Sequence, residues 1–482
     1  MKILFTTSEI APWVKTGGLG DVAAALPPAL GKLGLDVRVL TPRYPALREA
    51  FPDARPLLRL PPFGGALPAA ELFLAETAGL PLLLLDCPAL FDRPGNPYLG
   101  PEGRDWFDNH LRFGLLSRVA ARLSSVATPL DWRPDILHCN DWQTGLAPYY
   151  LRFYEPGGAA ALITIHNLAF QGVFAPQLLD DLALTGRDWH IDGVEYYGQL
   201  SFLKAGLRHA DWITTVSPTY AREIQTDAAG MGLGGLLRSR AAQLTGILNG
   251  IDTAVWNPAT DVHLSAHYDR AQMAGKALCK RALQQEVGLV ERDDRPLFGV
   301  VSRLTWQKGL DLVAAIADAL VALPAQLVVL GSGEKALEDA FAALAARYPG
   351  QIAVRIGFSE DLAHRIEAGV DCFLMPSRFE PCGLNQMYSL AYGTPPLVHA
   401  TGGLADTVTD CRPETLASGT ATGFVCAEAT PEALLETLRR AHACWKDEAL
   451  WRSLQQNGMA CDFGWTAPAK QYAELYRRLR PA

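Results

Sequence analysis

Asp371-Cys-Phe-Leu-Met-Pro-Ser-Arg-Phe-Glu-Pro-Cys-Gly-Leu-Asn385 is the stretch that decides the fold class. Asp371 to Met375 reads as a short buried strand, Pro376 to Pro381 as a loop, and Gly383 to Ala391 as a helix, which leaves Glu380 in the loop before the helix begins. That order sets a carboxylate and several backbone N–H donors at one strand end. In an open α/β sheet, ligands bind outside the carboxyl ends of the strands, and a helix N-terminus there favours negative charge such as a phosphate. An ordinary strand-to-helix turn, with Pro381 and Gly383 only shaping the backbone, reads the same in isolation. Tyr392-Gly-Thr-Pro-Pro396 and Thr401-Gly-Gly-Leu-Ala-Asp-Thr407 follow it closely.

Outward from this stretch, strand-like runs alternate with helix-like ones. The first series is Ile3 to Thr7, Val37 to Leu40, Leu82 to Leu85, Ile136 to Cys139, Leu162 to Ile165 and Ile213 to Val216. After Asn249-Gly-Ile-Asp252 and Trp256-Asn-Pro258 a polar stretch runs to about Arg270. A second series then opens near Phe298 to Val301, Leu327 to Leu330, Val354 to Ile356, Phe373 to Met375 and Leu397 to Val398. Such alternation points to βαβ units and mostly parallel sheets. The fold class expected is α/β, with two Rossmann-like domains facing across a deep cleft. A chain of 482 residues suits two large domains.

Nearly half of the residues are hydrophobic and 20% are charged, the balance of a folded chain. A net charge of −8 gives no broad footprint for nucleic acid or an anionic membrane, so any phosphate site is local. The nine scattered cysteines include no close pair, which fits reduced thiols and a cytoplasmic location. The first apolar run is short and closed by Glu9, as a first strand would be rather than a signal segment. No run is long enough to span a membrane. No Asp-x-Asp motif or His/Asp/Glu cluster stands out, so neither a metal nor another cofactor is expected.

Five more loops carry chemistry. Lys15-Thr-Gly-Gly-Leu-Gly-Asp21 lies between the first strand and a helix; Gly17, Gly18 and Gly20 allow close backbone approach, Lys15 is a mobile cation, and Asp21 sits where a helix start favours an acid. Its spacing is not that of a dinucleotide fingerprint, which disfavours a dehydrogenase. His138-Cys-Asn-Asp-Trp142 and His166-Asn167 end strands, where polar residues meet ligands, although His138 reads equally as a core histidine and Trp142 as packing for the next helix. Arg303 and Lys308, in Ser302-Arg-Leu-Thr-Trp-Gln-Lys-Gly309, could converge on a diphosphate or simply lie in solvent. Gly331-Ser-Gly333 is a tight turn or a backbone approach to a nucleotide.

Taken together, Lys15-Thr-Gly-Gly-Leu, Arg303-x-x-x-Gln-Lys-Gly309, Glu380-Pro-Cys-Gly-Leu384 and Thr401-Gly-Gly-Leu-Ala-Asp-Thr407 resemble the motifs of bacterial glycogen synthases and plant starch synthases, in the same order and over nearly the whole chain. Many retaining glycosyltransferases carry a second Glu eight residues after the first, where this chain has Tyr388; its absence is common in the ADP-glucose branch. The resemblance implies the two-domain GT-B fold, with residues 1–252 as the acceptor-side domain, 253–461 as the nucleotide-sugar domain, and 462–482 as a terminal helix crossing back to the first. It implies transfer of glucose from ADP-glucose to the non-reducing 4-OH of glycogen or another α-1,4-glucan, with retention. By resemblance Glu380, Arg303, Lys308 and His166 are catalytic. Lys15, Gly17, Gly18, Asp21, Asn167, Asn249, Gly331, Cys382, Gly383 and Leu384 bind the donor, and Tyr98, Asp141 and Trp142 face the acceptor. A transferase using another nucleotide sugar or acceptor, such as one forming sucrose or trehalose, and an inactive glucan-binding protein are the alternatives.

Overall fold

Leucine- and valine-rich runs with no polar face form strands buried on both sides, and such strands pair in parallel beneath helices. The computed structural model describes residues 1–480. It divides into two units, Met1–Gly250 with the segment from Trp465 onward, and Ile251–Gly464.

The first unit is built on β1 (Lys2–Thr6), β2 (Asp36–Pro42), β3 (Arg55–Leu60), β4 (Ala70–Thr77), β5 (Leu80–Asp86), β6 (Ile136–Asn140) and β7 (Ala160–Ile165). Three short strands follow, β8 (Val173–Phe174), β9 (Glu195–Tyr196) and β10 (Gln199–Ser201), then β11 (Trp212–Thr215) and β12 (Leu244–Gly246). The main sheet has nine strands in the order β12-β11-β7-β6-β1-β2-β5-β4-β3, and β8-β10-β9 form a small antiparallel sheet. From β12 to β5 every pairing is parallel. β3 and β4 add an antiparallel edge. Chain order reverses at β1, which lies between β2 and β6, so the loops after β1 and β6 leave the same sheet end side by side.

The second unit holds β13 (Leu297–Val301), β14 (Gln326–Gly331), β15 (Ile352–Ile356), β16 (Cys372–Met375), β17 (Pro396–His399) and β18 (Phe424–Cys426), all parallel in the order β15-β14-β13-β16-β17-β18. Alternation along β14 shows how both faces are covered. Leu327 and Val329 pack with Phe341 and Leu438 on one face, while Val328 and Leu330 pack with Leu283 and Ile366 on the other. Order reverses at β13, between β14 and β16.

The terminal helix Thr466–Leu479 belongs to the first unit and buries Tyr472, Leu475 and Tyr476 there. Tyr476 hydrogen-bonds the Nδ1 of His138 at 2.7 Å, and His138 bonds Thr164 through Nε2 at the same distance. His138 is thus a satisfied core histidine, fully buried, with burial pulling its pKa down to about 3. The unit divisions fall at 250/251 and 464/465, where the sequence reading put 252/253 and 461/462. Ile251 and Gly464 form a parallel bridge, so the two connections between units lie side by side. Among the described residues no helix is long and apolar enough to cross a membrane.

Candidate active site

In each unit the site residues gather at the strand ends where the order reverses, the place where open α/β sheets bind ligands. In the first unit the loop after β1 turns through Ile10 and Val14, which exchange backbone hydrogen bonds of 2.9 Å, and then reaches the glycine-rich segment. Lys15 pairs with Asp21 at 2.9 Å, both partly exposed. Gly17 and Gly18 are exposed at the start of the helix Gly18–Lys32. A Cβ at Gly17 would meet nothing within 4 Å, so the segment has open space in front of it.

From the neighbouring strand ends come Asp141 and His166. Asp141 adopts φ 56°, a left-handed conformation uncommon for a residue with a side chain. Its carboxylate accepts the His166 backbone N–H at 2.7 Å and that of Asn167 at 3.4 Å. Burial raises its pKa to about 7 against the lowering effect of those two donors. Asp141 therefore shapes the His166-Asn167 loop from beneath. The His166 Nε2 lies 2.9 Å from the Asn140 side-chain oxygen, whose amide nitrogen donates to the Thr6 carbonyl, so Nε2 carries the proton and Nδ1 the lone pair. Desolvation lowers the His166 pKa to about 3, which keeps the ring neutral. Trp142 is 9% exposed and packs edge-on against Phe113, with Phe174 and Phe202 also beside it. It serves the aromatic core of the unit. Asn249 is buried, and its Oδ1 has no hydrogen-bond partner among the described residues.

In the second unit the loops after β13 and β16 are laced together. The Arg378 backbone N–H donates to the Gln307 carbonyl at 2.9 Å, and the Arg378 guanidinium grips Asp311 through two hydrogen bonds of 2.7 Å and lies over the Trp306 ring. Asn385 donates to the Val301 carbonyl at 2.7 Å. This lacing brings Lys308 Nζ to 2.5 Å from Glu380 Oε2, which also accepts the Ser377 hydroxyl at 3.0 Å. Glu380 is 5% exposed, whereas Arg303 on the same loop as Lys308 is exposed, with its guanidinium 3.4 Å from the Gln307 side-chain oxygen.

Glycines allow this crowding. A Cβ on Gly331 would lie 1.9 Å from the Ser302 carbonyl oxygen, and one on Gly402 the same distance from that of Glu380. Cys382 is 5% exposed, Gly383 adopts φ +71°, and Leu384 forms the N-cap of the helix Asn385–Ala391. That helix starts two residues later than the sequence reading placed it and has seven residues, so Gly383 lies in the loop before it and the helix offers little dipole of its own. Among the described residues no group of His, Cys, Asp and Glu stands together to hold a metal.

The sequence reading did not single out two residues that the strand ends present. Phe358, 75% exposed, follows β15 beside Gly331, whose carbonyl accepts the Gly357 N–H at 3.0 Å. Its signal was an aromatic after a strand-end glycine. Glu9 is the other. It is 3% exposed and accepts Thr16 and Gly17 of the glycine-rich segment.

The first half of the chain, residues 2–239, matches the family model of the starch synthase catalytic domain, and residues 284–457 match that of glycosyl transferases group 1. Two parallel-sheet units with the motif loops at their switch points, matched in this way, define a glycosyltransferase of the GT-B fold. The chain is 62% identical to a glycogen synthase of Dechloromonas aromatica, over 99% of this chain and 98% of that one, and 54% identical to one of Nitrosospira multiformis, over 99% and 97%. It belongs to the glycogen synthase family. Among solved structures, the catalytic domain of starch synthase IV from Arabidopsis thaliana, bound to ADP and acarbose, superposes with a TM-score of 0.87 at 32% identity, covering 99% of each chain. A sucrose-phosphate synthase from Thermosynechococcus elongatus shares the fold at 20% identity, with a TM-score of 0.62 over 99% of this chain and 98% of that one.

Proposed function

We propose that this chain moves glucose from ADP-glucose to the non-reducing 4-OH of an α-1,4-glucan with retention at the anomeric carbon, in the cytosol. The observation that carries the reading is the Lys308–Glu380 pair, held at the reversal point of the second sheet with Arg303 exposed on the same loop. A diphosphate needs cations, and a sugar bound beside it needs a hydroxyl acceptor; this loop pair supplies both. The ADP in the starch synthase neighbour supports an adenine nucleotide as the carrier. Exposed Phe358, beside Gly331, offers a face on which the base can stack.

Breaking the bond between the anomeric carbon and the diphosphate oxygen leaves positive charge on the sugar and negative charge on the phosphate. On the second unit Arg303 and Lys308 take up the negative charge, and Glu380 holds glucose hydroxyls. On the first unit the family resemblance assigns the partly exposed Lys15 and the backbone at His166 to the same donor. No side chain acts as a nucleophile in this reading. The acceptor oxygen bonds to the anomeric carbon on the face the phosphate leaves, and its proton passes to the departing phosphate oxygen. The neutral, desolvated His166 suits a positioning rather than a charged role.

A radiolabel-transfer assay with several nucleotide sugars and glycogen tests this. The expected result is incorporation from ADP-glucose well above that from UDP-glucose, into product released by an α-1,4-specific amylase. Label passing to fructose 6-phosphate or glucose 6-phosphate instead would favour the sucrose- or trehalose-forming alternative.

A further inference from the structure

The loop proposed to meet the donor and the tyrosine proposed to meet the acceptor end on one buried carboxylate. Glu9 lies three residues past the end of β1 and is 3% exposed. Its Oε2 accepts the Thr16 backbone N–H at 2.6 Å and that of Gly17 at 3.3 Å. Its Oε1 accepts the Thr16 hydroxyl at 2.6 Å and the Tyr98 hydroxyl. The backbone of Glu9 is fixed in turn by Thr7, whose hydroxyl donates to the Glu9 carbonyl at 2.9 Å. Tyr98 arrives from a loop 89 residues away in sequence, and its hydroxyl also meets Ser8 Oγ at 2.8 Å.

Four donors converge here, two N–H and two O–H, and no acceptors oppose them. A carboxylate has the lone pairs to satisfy all four, while a carboxamide would have to turn two hydroxyls around. Bonds to an ionised acceptor are about twice as strong as neutral ones. Desolvation and the Glu9 charge hold the Tyr98 phenol well above its ordinary pKa, so the ring remains a donor. With open space beyond Gly17, the segment between Val14 and the helix start is held by Glu9, through Thr16 and Gly17, and by the Lys15–Asp21 pair.

We propose that Glu9 is a positioning residue that ties the glycine-rich donor loop to Tyr98, so that a glucan engaging Tyr98 alters the placing of Lys15 to Gly18. The tether itself is independent of substrate identity; its part in catalysis rests on the function proposed above. A sugar hydroxyl that draws the Tyr98 hydroxyl off Glu9 removes one of the four donors and loosens the grip on Thr16. Donor and acceptor binding are then coupled, and by linkage each changes the affinity of the other by the same factor.

Glu9→Gln, Tyr98→Phe and the double variant of the full chain test it, with two readouts. The first needs no substrate: hydrogen exchange of a peptide spanning Thr16 and Gly17. Tyr98→Phe, which deletes one oxygen far along the chain from that peptide, is expected to speed its exchange several-fold. The second is steady-state kinetics, varying ADP-glucose and a maltooligosaccharide separately. Both single variants are expected to raise the KM for ADP-glucose by about fivefold or more, the scale of an ordinary coupling energy. The double variant should add little to Glu9→Gln, because the two groups act as one unit. Tyr98→Phe raising only the acceptor KM, with exchange unchanged and the effects multiplying in the double variant, overturns the tether. A wild-type chain that transfers nothing from ADP-glucose, with exchange still responding to Tyr98→Phe, overturns the proposed function and leaves the tether standing.

Discussion

Lys308 and Glu380 share a hydrogen bond in a nearly closed setting, so removing the lysine does two things. In the proposed reaction it takes a cation from the departing diphosphate, and it leaves the Glu380 carboxylate with Ser377 as its remaining side-chain partner among those described. Lys308→Ala is expected to cut kcat about 100-fold or more, the usual cost of losing one preorganised charge-stabilising group. Arg303→Ala should lose activity on the same scale with no change in melting temperature, since Arg303 is exposed. Kinetics beside circular dichroism separates the two, and near-normal turnover in both variants removes the pair from the site. His138 has a folded pKa of about 3 against an ordinary 6.5, so below pH 6.5 the unfolded chain takes a proton that the folded chain refuses. Stability from this group is intact above pH 6.5 and falls as the pH drops toward 3. Desolvated His166 acts in the same sense, whereas Asp141, raised from 3.8 to about 7, acts in the opposite one between those values. Comparing wild type with His138→Phe isolates the first term: between pH 7.5 and 5.5, wild type should lose roughly 1.4 kcal/mol more in urea titrations. Lys308 and Glu380 stand out in the sequence because their motifs resemble those of the synthases, and the fold brings the two side chains into contact. Glu9 does not stand out, because it lies where an apolar strand ends and a polar residue is unremarkable; its partner Tyr98 lies 89 residues away.

The helix Asn385–Ala391 is held by an aromatic stack that no local pattern announces. Trp256 lies between Tyr388, with ring centroids 3.7 Å apart, and His364, at 3.8 Å, with planes within 9° and 7° of parallel. The His364 Nδ1 lies 2.7 Å from Asp261, which also accepts the Tyr392 hydroxyl at 2.5 Å. Tyr388 occupies the place where many retaining transferases have a second Glu, and here that place is part of a packed aromatic layer. Tyr388→Glu is therefore expected to destabilise the second unit by about 3 kcal/mol or more, by losing an aromatic from the stack and burying a carboxylate. Differential scanning calorimetry measures this; a variant as stable as wild type would mean the layer has slack. Long apolar runs such as Leu82 to Leu85 announced their strands because burial on both faces leaves no polar residue to interrupt them. β12 and β18, three residues each, are too short to show a pattern, and β3, with Pro56 and two arginines, looks like loop because it is an exposed edge. Pairing with β4 makes it a strand.

The division at Gly464/Trp465 means that the first unit is made from two segments of the chain, one before and one after the second unit. A chain ending at Gly464 lacks the helix that buries Tyr472 and Tyr476 and gives His138 its hydrogen bond. That truncation is expected to leave the first unit expanded and dye-binding while the second unit keeps its cooperative transition, as 1-anilinonaphthalene-8-sulfonate fluorescence and calorimetry would show. Two equal transitions in the truncated chain would overturn this. The discontinuity also sets an order for biosynthesis. Domains usually mature from the N-terminus as the ribosome releases them. Here the second unit is one uninterrupted segment, complete in sequence before Trp465 is translated, whereas the first waits for the helix Thr466–Leu479. A polypeptide cut short by a stalled ribosome or a late stop codon therefore carries its defect at the opposite end of the sequence, in the unit that was synthesised first.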